Sequence, residues 1–366
     1  MDRKAVIIGA GFAADMHIQA LKALGIQVVG VAAGHRDSAK RFAEKNQIPS
    51  YGVSVEEVME DDVTDVHICT PPNSHAELIK KILNAGKNVI CEKPLCITEK
   101  EAQDIRRFMD ENLRHGKKTG RLVLDYNVRF FAAVKKIREI IKSGKYGKVV
   151  LVHGNYMQDF HALPSIYDWR YRSDMSGPMR AVTEIGSHWF DLAQFVTGSN
   201  ITGISATFKK AAEYRILNDG VMSSEDDNME EDFGDQRIHI DSEDAASVTL
   251  QFSNGAMGNV LLSEISHGRS NHLFLEVDMM DGSVWWNEEE PNKLYHGKKN
   301  DPIAVEISAF NGGFNESVIE LFKEFYFGED DSKILPDADS GLQIVRICNA
   351  VYDSSRQHSA WVNVKQ

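Results

Sequence analysis

The stretch VIIGAGFAADMH, Val6 to His17, runs from a short apolar strand through a turn with two glycines into a helix-period segment. Gly9, Gly11 and Ala14 form a G-x-G-x-x-A pattern. Gly9 permits the tight turn, Gly11 lets a pyrophosphate approach the backbone, and the small Ala14 lets helix and strand pack closely. A helix that starts there aims free amides and the positive end of its dipole at an anion. The pattern alone is weak, so its surroundings carry the inference.

Those surroundings alternate. Through Leu124, β-rich runs (KAVIIG, IQVVGVA, DVHICT, NVICEK, RLVLDY) are separated by helical-period segments such as SHAELIKKILNAG and TEKEAQDIRRFMDENLRH. Alternation of this kind means parallel strands joined by right-handed crossovers, with both sheet faces covered. Residues 1–125 are therefore expected to form a doubly wound, dinucleotide-binding α/β domain. After AAVKKIREIIKSGKYGK the strand candidates lengthen (VVLVHGNYMQ, AASVTLQFSNGAMGNVLLSE, HLFLEVDMMDGSVWW), and SNGA and MDGS carry the glycine chemistry of hairpin turns. Residues 126–366 are expected to form an α+β domain with a mainly antiparallel open sheet. Its late helices, around ESVIELFKEFYFG and SGLQIVRICNAVYDSSRQ, cover one face or pack back on the first domain. The acidic run SSEDDNMEEDFGDQ, Ser223 to Gln236, reads as a solvated loop, since like charges repel and stay wet.

Composition narrows the function classes. A chain of 366 residues exceeds what one core usually supports, and 42% hydrophobic with 26% charged residues is ordinary for a globular protein. The formal charge of -13 repels phosphate backbones and anionic lipids, which argues against nucleic acid and membrane partners. Cys69, Cys91, Cys96 and Cys348 show no metal spacing, and three of them lie in or beside apolar strand-like runs. A reduced, cytoplasmic setting is expected, with no signal peptide at the N-terminus and no membrane span.

The loops after the strands supply the candidate cofactor contacts, because open α/β sheets bind ligands at their carboxyl ends. The first turn offers Gly9, Gly11, Phe12, Ala13 and Ala14. After the second strand, VAAGHRDS places Ala33, His35 and Arg36 where an acid would bond the ribose hydroxyls. The missing acid permits NADP, and Arg36 offers its 2′-phosphate a charge-assisted partner, which tips the reading from NAD toward NADP. Alternatively Arg36 merely opens a helix capped by Asp37 or Ser38. The fourth strand ends in Thr70, Pro71, Pro72, Asn73 and His75, and the fifth in Glu92, Lys93 and Pro94.

Lys93 is either a solvated strand-end charge or a group aimed into the crevice, and its position favours the second. In EIGSHWFDL, Glu184, His188 and Asp191 share one face once helical, while Trp189 and Leu192 form another. A histidine has the ordinary pKa best suited to moving a proton near neutrality, and a carboxylate in reach orients its ring. Two other readings stand beside this one: His188 as a satisfied core residue, or the three side chains as a metal site.

The segments GAGFAADMH, TPPNSH, EKPL and EIGSHWFDL occur in the order and at roughly the spacing of the glucose-fructose oxidoreductase, inositol dehydrogenase and MocA family (Gfo/Idh/MocA). The chain resembles that family along nearly its whole length. The resemblance implies an N-terminal Rossmann domain and an α+β domain whose open sheet mediates homodimers or homotetramers. It implies an NAD(P)-dependent oxidoreductase acting on a secondary alcohol of a sugar, glycoside or cyclic polyol, with Lys93 and His188 around the carbinol and no metal. The family's aspartate position is Glu184 here, one methylene longer. NYMQDF and YDWRYR are similar to the subgroup that includes dehydrogenases of levoglucosan and related glucosides, which makes Gln158, Asp159, Trp169, Arg170, Arg180 and Asp191 candidate substrate contacts. The same fold also serves NAD-dependent glycosidases that oxidise transiently, and non-catalytic nucleotide-sensing regulators.

Overall fold

The computed structural model describes residues 3–117, 119–163, 168–216, 237–308, 313–329 and 334–366. The acidic run from Ser223 to Gln236 lies outside them. The chain forms two compact units, one of Met1–Val134 with Gly312–Val345, the other of Lys135–Asn311 with Arg346–Gln366. This differs from the expected division into 1–125 and 126–366. The reason is the helix Phe314–Phe327, whose Val318, Leu321, Phe322 and Phe325 are buried in one cluster with Ile7, Ala14, Ile18 and Leu21. A boundary drawn where the strand pattern changes does not register that a much later amphipathic helix completes the first core.

In the first unit the chain alternates as its pattern requires: β1 (Lys4–Ile8), α1 (Phe12–Ala23), β2 (Gln27–Ala32), α2 (Arg36–Asn46), β3 (Ser50–Gly52), β4 (Asp65–Ile68), α3 (His75–Asn84), β5 (Asn88–Cys91), α4 (Glu99–Arg114) and β6 (Leu122–Leu124). The strands pair in parallel in the order β3-β2-β1-β4-β5-β6. Strand order reverses between β1 and β4, which opens a crevice beyond their carboxyl ends. Both sheet faces are covered, so Val6, Ile7, Val66, Ile68, Val89 and Ile90 are all buried. α4 begins with a capping box between Thr98 and Glu101.

The second unit begins within α5 (Ala132–Lys142) and continues through β7 (Val149–Met157), the short α6 (Ser173–Ser176), α7 (Ser187–Thr197) and β8 (Ile201–Lys209). A two-stranded ribbon, β9 (Tyr214–Ile216) with β10 (Arg237–His239), precedes β11 (Ala245–Phe252), β12 (Met257–Ser263), β13 (His272–Met279), β14 (Gly282–Asn287), β15 (Lys293–Gly297) and β16 (Ala304–Ile307). The helix Phe314–Phe327 of the first unit is α8; α9 (Ala338–Arg356) and β17 (Val362–Asn363) close the chain. The large sheet runs β16-β15-β14-β13-β7-β12-β11-β8-β17. Every neighbouring pair is antiparallel except β12 with β7, so the sheet is mixed, and mainly antiparallel as expected. One residue in two is buried along β11 and β13, the pattern of a sheet covered on one face. On the covered side Trp189 of α7 donates its indole N–H to the carbonyl of Phe274, 3.1 Å away. Met257, Leu261, Val305 and Ile307 remain exposed.

Candidate active site

The first unit builds a nucleotide crevice from backbone geometry. Gly9 has φ +117°, and a Cβ there would lie 2.5 Å from the carbonyl oxygen of Cys69. Only glycine fits between the ends of β1 and β4. Nothing lies within 4 Å of where Gly11 would carry a Cβ, and Gly11 caps α1, so the backbone at the start of that helix is open to the approach of an anion. Ala14 is fully buried, Ala13 half-buried, and Phe12 72% exposed at the mouth of the turn. These residues fit a dinucleotide.

After β2, Ala33 is buried and donates its N–H to Gly52, while His35 and Arg36 are exposed at the start of α2. His35 occupies the N-cap without a side-chain bond, so neither Asp37 nor Ser38 caps this helix. Arg36 instead pairs with Glu57 at 2.5 Å. Glu57 comes from the short 3-10 turn after β3 and lies against Gly52, where a Cβ would stand 2.6 Å from its own. Sequence reasoning looked for an acid at the end of β2; the acid reaches this edge from the next loop.

After β4, Thr70 and Ser74 join hydroxyls at 2.6 Å, Pro72 is buried and Asn73 exposed. His75 is buried with Nε2 2.8 Å from the Thr70 carbonyl and Nδ1 3.0 Å from that of Pro94. It thus ties the loop holding Pro71 to the one holding Lys93. Parallel register does the rest. Cys69 N–H donates to Ile8, Glu92 N–H to Ile68 and Asp125 N–H to Cys91, so each strand delivers its first residue past the carboxyl end beside its neighbour's. Lys93 follows Glu92, half-buried, before a cis proline bond. Burial alone would lower the His17 pKa, but Cys69, Asp125 and Glu92 outweigh it and raise it well above the ordinary value. His67, next to it, is lowered well below by burial and by the charges of His17 and Arg3.

In the second unit the segment ahead of α7 is not α-helical. Val182–Gly186 forms a π-helix, a widened turn that concentrates at functional sites and that residue spacing does not announce. It is held from outside. Arg180 is fully buried and pairs with Asp244 and Glu264, Arg215 pairs with Asp244 at 3.0 Å, and both guanidiniums lie over Tyr171. Glu243 accepts the N–H groups of Arg180 (3.1 Å) and Val182 (2.8 Å) at the mouth of the segment. Arg180 thereby anchors the backbone leading to Glu184 and His188.

Glu184 accepts from Arg170 Nε at 3.3 Å, and Arg170 also bonds Asp168 and lies 4.6 Å from the Trp169 ring. Trp169 and Arg170 are half-buried, Asp191 is buried, and Asp159 accepts the N–H of Gly268 at 3.1 Å. The described groups of three side chains whose donor atoms lie within 4.8 Å of one another are His17, Glu92 and Asp125, and His153, Glu276 and Asp278. His188 is 6% exposed and its ring stands 6.4 Å from that of Tyr156. Tyr156 Oη and Gln158 Nε2 both donate to Asn271 Oδ1, at 2.7 and 2.6 Å, and Asn271 Nδ2 donates to Glu288 Oε1 at 2.6 Å. Gln158, from the sequence-derived set, therefore joins Tyr156, Asn271 and Glu288, which sequence reasoning missed.

A model described as the oxidoreductase family with an NAD-binding Rossmann fold matches residues 3–115, and the GFO/IDH/MocA C-terminal domain matches residues 134–285. The chain belongs to the Gfo/Idh/MocA oxidoreductase family. Levoglucosan dehydrogenase of Pseudarthrobacter phenanthrenivorans is 26% identical over 354 residues, covering 90% of this chain and 86% of that protein. Inositol 2-dehydrogenase of Rhizobium meliloti is 25% identical over 367 residues, covering 95% of each. In fold, a levoglucosan dehydrogenase solved with NADH and levoglucosan matches all of both chains with a TM-score of 0.87 at 24% identity. Family membership makes this chain an NAD-binding oxidoreductase. Among the described residues, no helix is long and apolar enough to cross a membrane.

The polar cluster beside His188 has a pH signature. Burial pushes the Glu288 carboxyl up to about 8 and that of Glu243 up to about 7. Each holds a proton in the fold that the unfolded chain releases above the ordinary value of 4.5. Their contribution is complete below that value and is lost as pH rises, for Glu288 until about 8. Glu288→Gln keeps the shape and removes the titration, so its stability should fall less steeply than wild type between those limits, by up to about 1.4 kcal/mol per pH unit. Urea unfolding of both proteins across that range tests this; parallel stability curves would show that Glu288 does not titrate there.

Proposed function

We propose that the protein moves a hydride between a nicotinamide cofactor and a secondary alcohol carbon of a sugar, glycoside or cyclic polyol. The observation that carries this reading is the placement of His188 beside Tyr156, at the head of a bonded set of side chains, Tyr156, Gln158 and Asn271, of the kind that recognises hydroxyl groups. The two levoglucosan and inositol dehydrogenase relatives point to the same substrate class. The nicotinamide, when bound, supplies the hydride acceptor or donor.

The remaining work falls to the chain. His188 takes the proton of the carbinol hydroxyl on a ring nitrogen during oxidation and returns it during reduction. Lys93, mounted at the carboxyl end of β5, supplies an ammonium donor that stabilises negative charge developing in the reaction. Glu184, held by Arg170 and one methylene longer than aspartate, orients a neighbouring hydroxyl. Gly9, Gly11 and Ala14 hold the pyrophosphate, and the loops with Thr70, Pro71 and Asn73 flank the cofactor. Arg180, without exposed surface, acts through the backbone it anchors.

Lys93→Ala and His188→Ala should each lower kcat by about 10²- to 10⁴-fold, read as reduced-cofactor absorbance over a panel of sugars, glycosides and inositols. Undiminished turnover in either variant would defeat the mechanism. A glycoside cleaved while the cofactor returns unchanged would select the NAD-dependent glycosidase instead, and binding without turnover a sensing role.

Cofactor choice turns on Arg36 and Glu57. The bare end of β2 favours NADP, but the Glu57 carboxylate beside Arg36 repels a 2′-phosphate, and the balance lies with NAD. Glu57→Gln should raise kcat/KM for NADP relative to NAD by about tenfold, one charge-assisted contact's worth. An unchanged ratio would remove Glu57 from the discrimination.

The exposed apolar residues Met257, Leu261, Val305 and Ile307 support self-association through the open sheet of the second unit, as a dimer or tetramer. Light scattering that returns a monomer mass at all concentrations would exclude it.

A further inference from the structure

Within the first unit, Lys93 is backed by ionisable side chains to which the reaction as proposed gives no role. His17 on α1, His67 on β4 and Asp125 after β6 are all buried. His17 Nε2 lies 3.2 Å from Asp125 Oδ2 and 3.5 Å from Glu92 Oε1, flanked by both oxygens rather than in line with either. Its Nδ1 lies 2.9 Å from His67 Nδ1, and His67 Nε2 lies 2.9 Å from Tyr326 Oη. Phe322 presents a ring to both imidazoles at 4.9 Å. The other Glu92 oxygen accepts the backbone N–H of Lys93 at 3.2 Å.

Two proton arrangements fit these distances: one with both imidazoles neutral, in which His67 Nδ1–H donates to His17 and the Tyr326 hydroxyl to His67, and one with His17 charged, which the neighbouring carboxylates favour. Two Nδ1 atoms at hydrogen-bond distance need one proton between them, and the partly buried Glu92 carboxylate beside the buried Asp125 carboxyl, whose pKa burial raises, draws positive charge close by. With both nitrogens of His17 protonated, Nδ1–H donates to a neutral His67 and Nε2–H faces the two carboxylates. His67 then donates Nε2–H to Tyr326.

We propose that His17 is a positioning residue for Lys93: a buried imidazolium that anchors Glu92 and Asp125, so that neutralising the two carboxylates does not fall on the Lys93 ammonium alone. The inference deepens the proposed function and rests on it for the role of Lys93. His17 touches neither substrate nor cofactor in this scheme; it acts through Glu92, whose carboxylate holds the backbone on which Lys93 is mounted. A divalent cation is the competing occupant, since the same three donors fall within 4.8 Å of one another.

The test uses the full chain labelled with ¹⁵N-histidine, alongside His17→Gln and the milder Tyr326→Phe. At neutral pH a histidine signal with both ring nitrogens protonated should be shifted in Tyr326→Phe and absent in His17→Gln. kcat of His17→Gln should fall on the order of 100-fold while sugar KM and NADH Kd hold, a split that general loosening of the fold would not give. A neutral His17, a stoichiometric metal by elemental analysis, or an unchanged kcat overturns the proposal. No sugar turnover in wild type with the imidazolium signal intact would instead defeat the functional reading and leave the charge on His17 standing.

Discussion

The first unit depends on how closely two strand ends meet. Gly9 turns with positive φ in contact with the Cys69 carbonyl, and no side chain fits between them. That approach keeps β1 and β4 in register to their last residues, and the parallel ladder carries the register outward through Glu92 and Asp125. The result is a level row of strand-end residues with the start of α1 above it. A phosphate-binding turn and a row of ionisable groups are thus products of one steric constraint. Lys93 stands at the edge of that row, one residue past the ladder.

The second unit solves its positioning problem differently. Glu184 lies on a widened helical turn that leads directly into α7 and His188, and the support of that turn is electrostatic. Arg180 and Arg215 share Asp244 in the interior, and Glu243 ties two backbone amides at the head of the turn. Burying such charges is expensive in solvation, so clusters of this kind are retained for geometry more than for stability. Removing one partner would strand its mate without water.

Much of this was legible in the sequence. Strand and helix alternation, the glycine turn and the hairpin signals gave both architectures, because each is a local pattern. The motif residues Gly9, Lys93 and His188 stood out for the same reason. What stayed hidden depends on long-range register. Glu57 reaches Arg36 from a loop after β3, His17 follows the glycine turn yet meets Asp125 only through strands β4 to β6, and Glu288 joins Tyr156 across the sheet through Asn271. The π-turn was hidden for another reason: its residues keep helical spacing, and the tie between Glu243 and the Val182 amide comes from a distant part of the chain. The domain boundary was misplaced because α8 shows its amphipathic face without showing which core receives it.

That helix gives the molecule an order of assembly. A ribosome releases the Rossmann strands first, but Phe322 and Phe325 follow nearly the entire second unit. Until they emerge, Ile7, Ile18 and Leu21 lack part of the apolar cover they have in the finished fold. Contacts of such sequence separation form slowly and leave hydrophobic surface open meanwhile. The unit made earliest is therefore completed among the last, with part of its core left without its apolar cover while the second unit is being made.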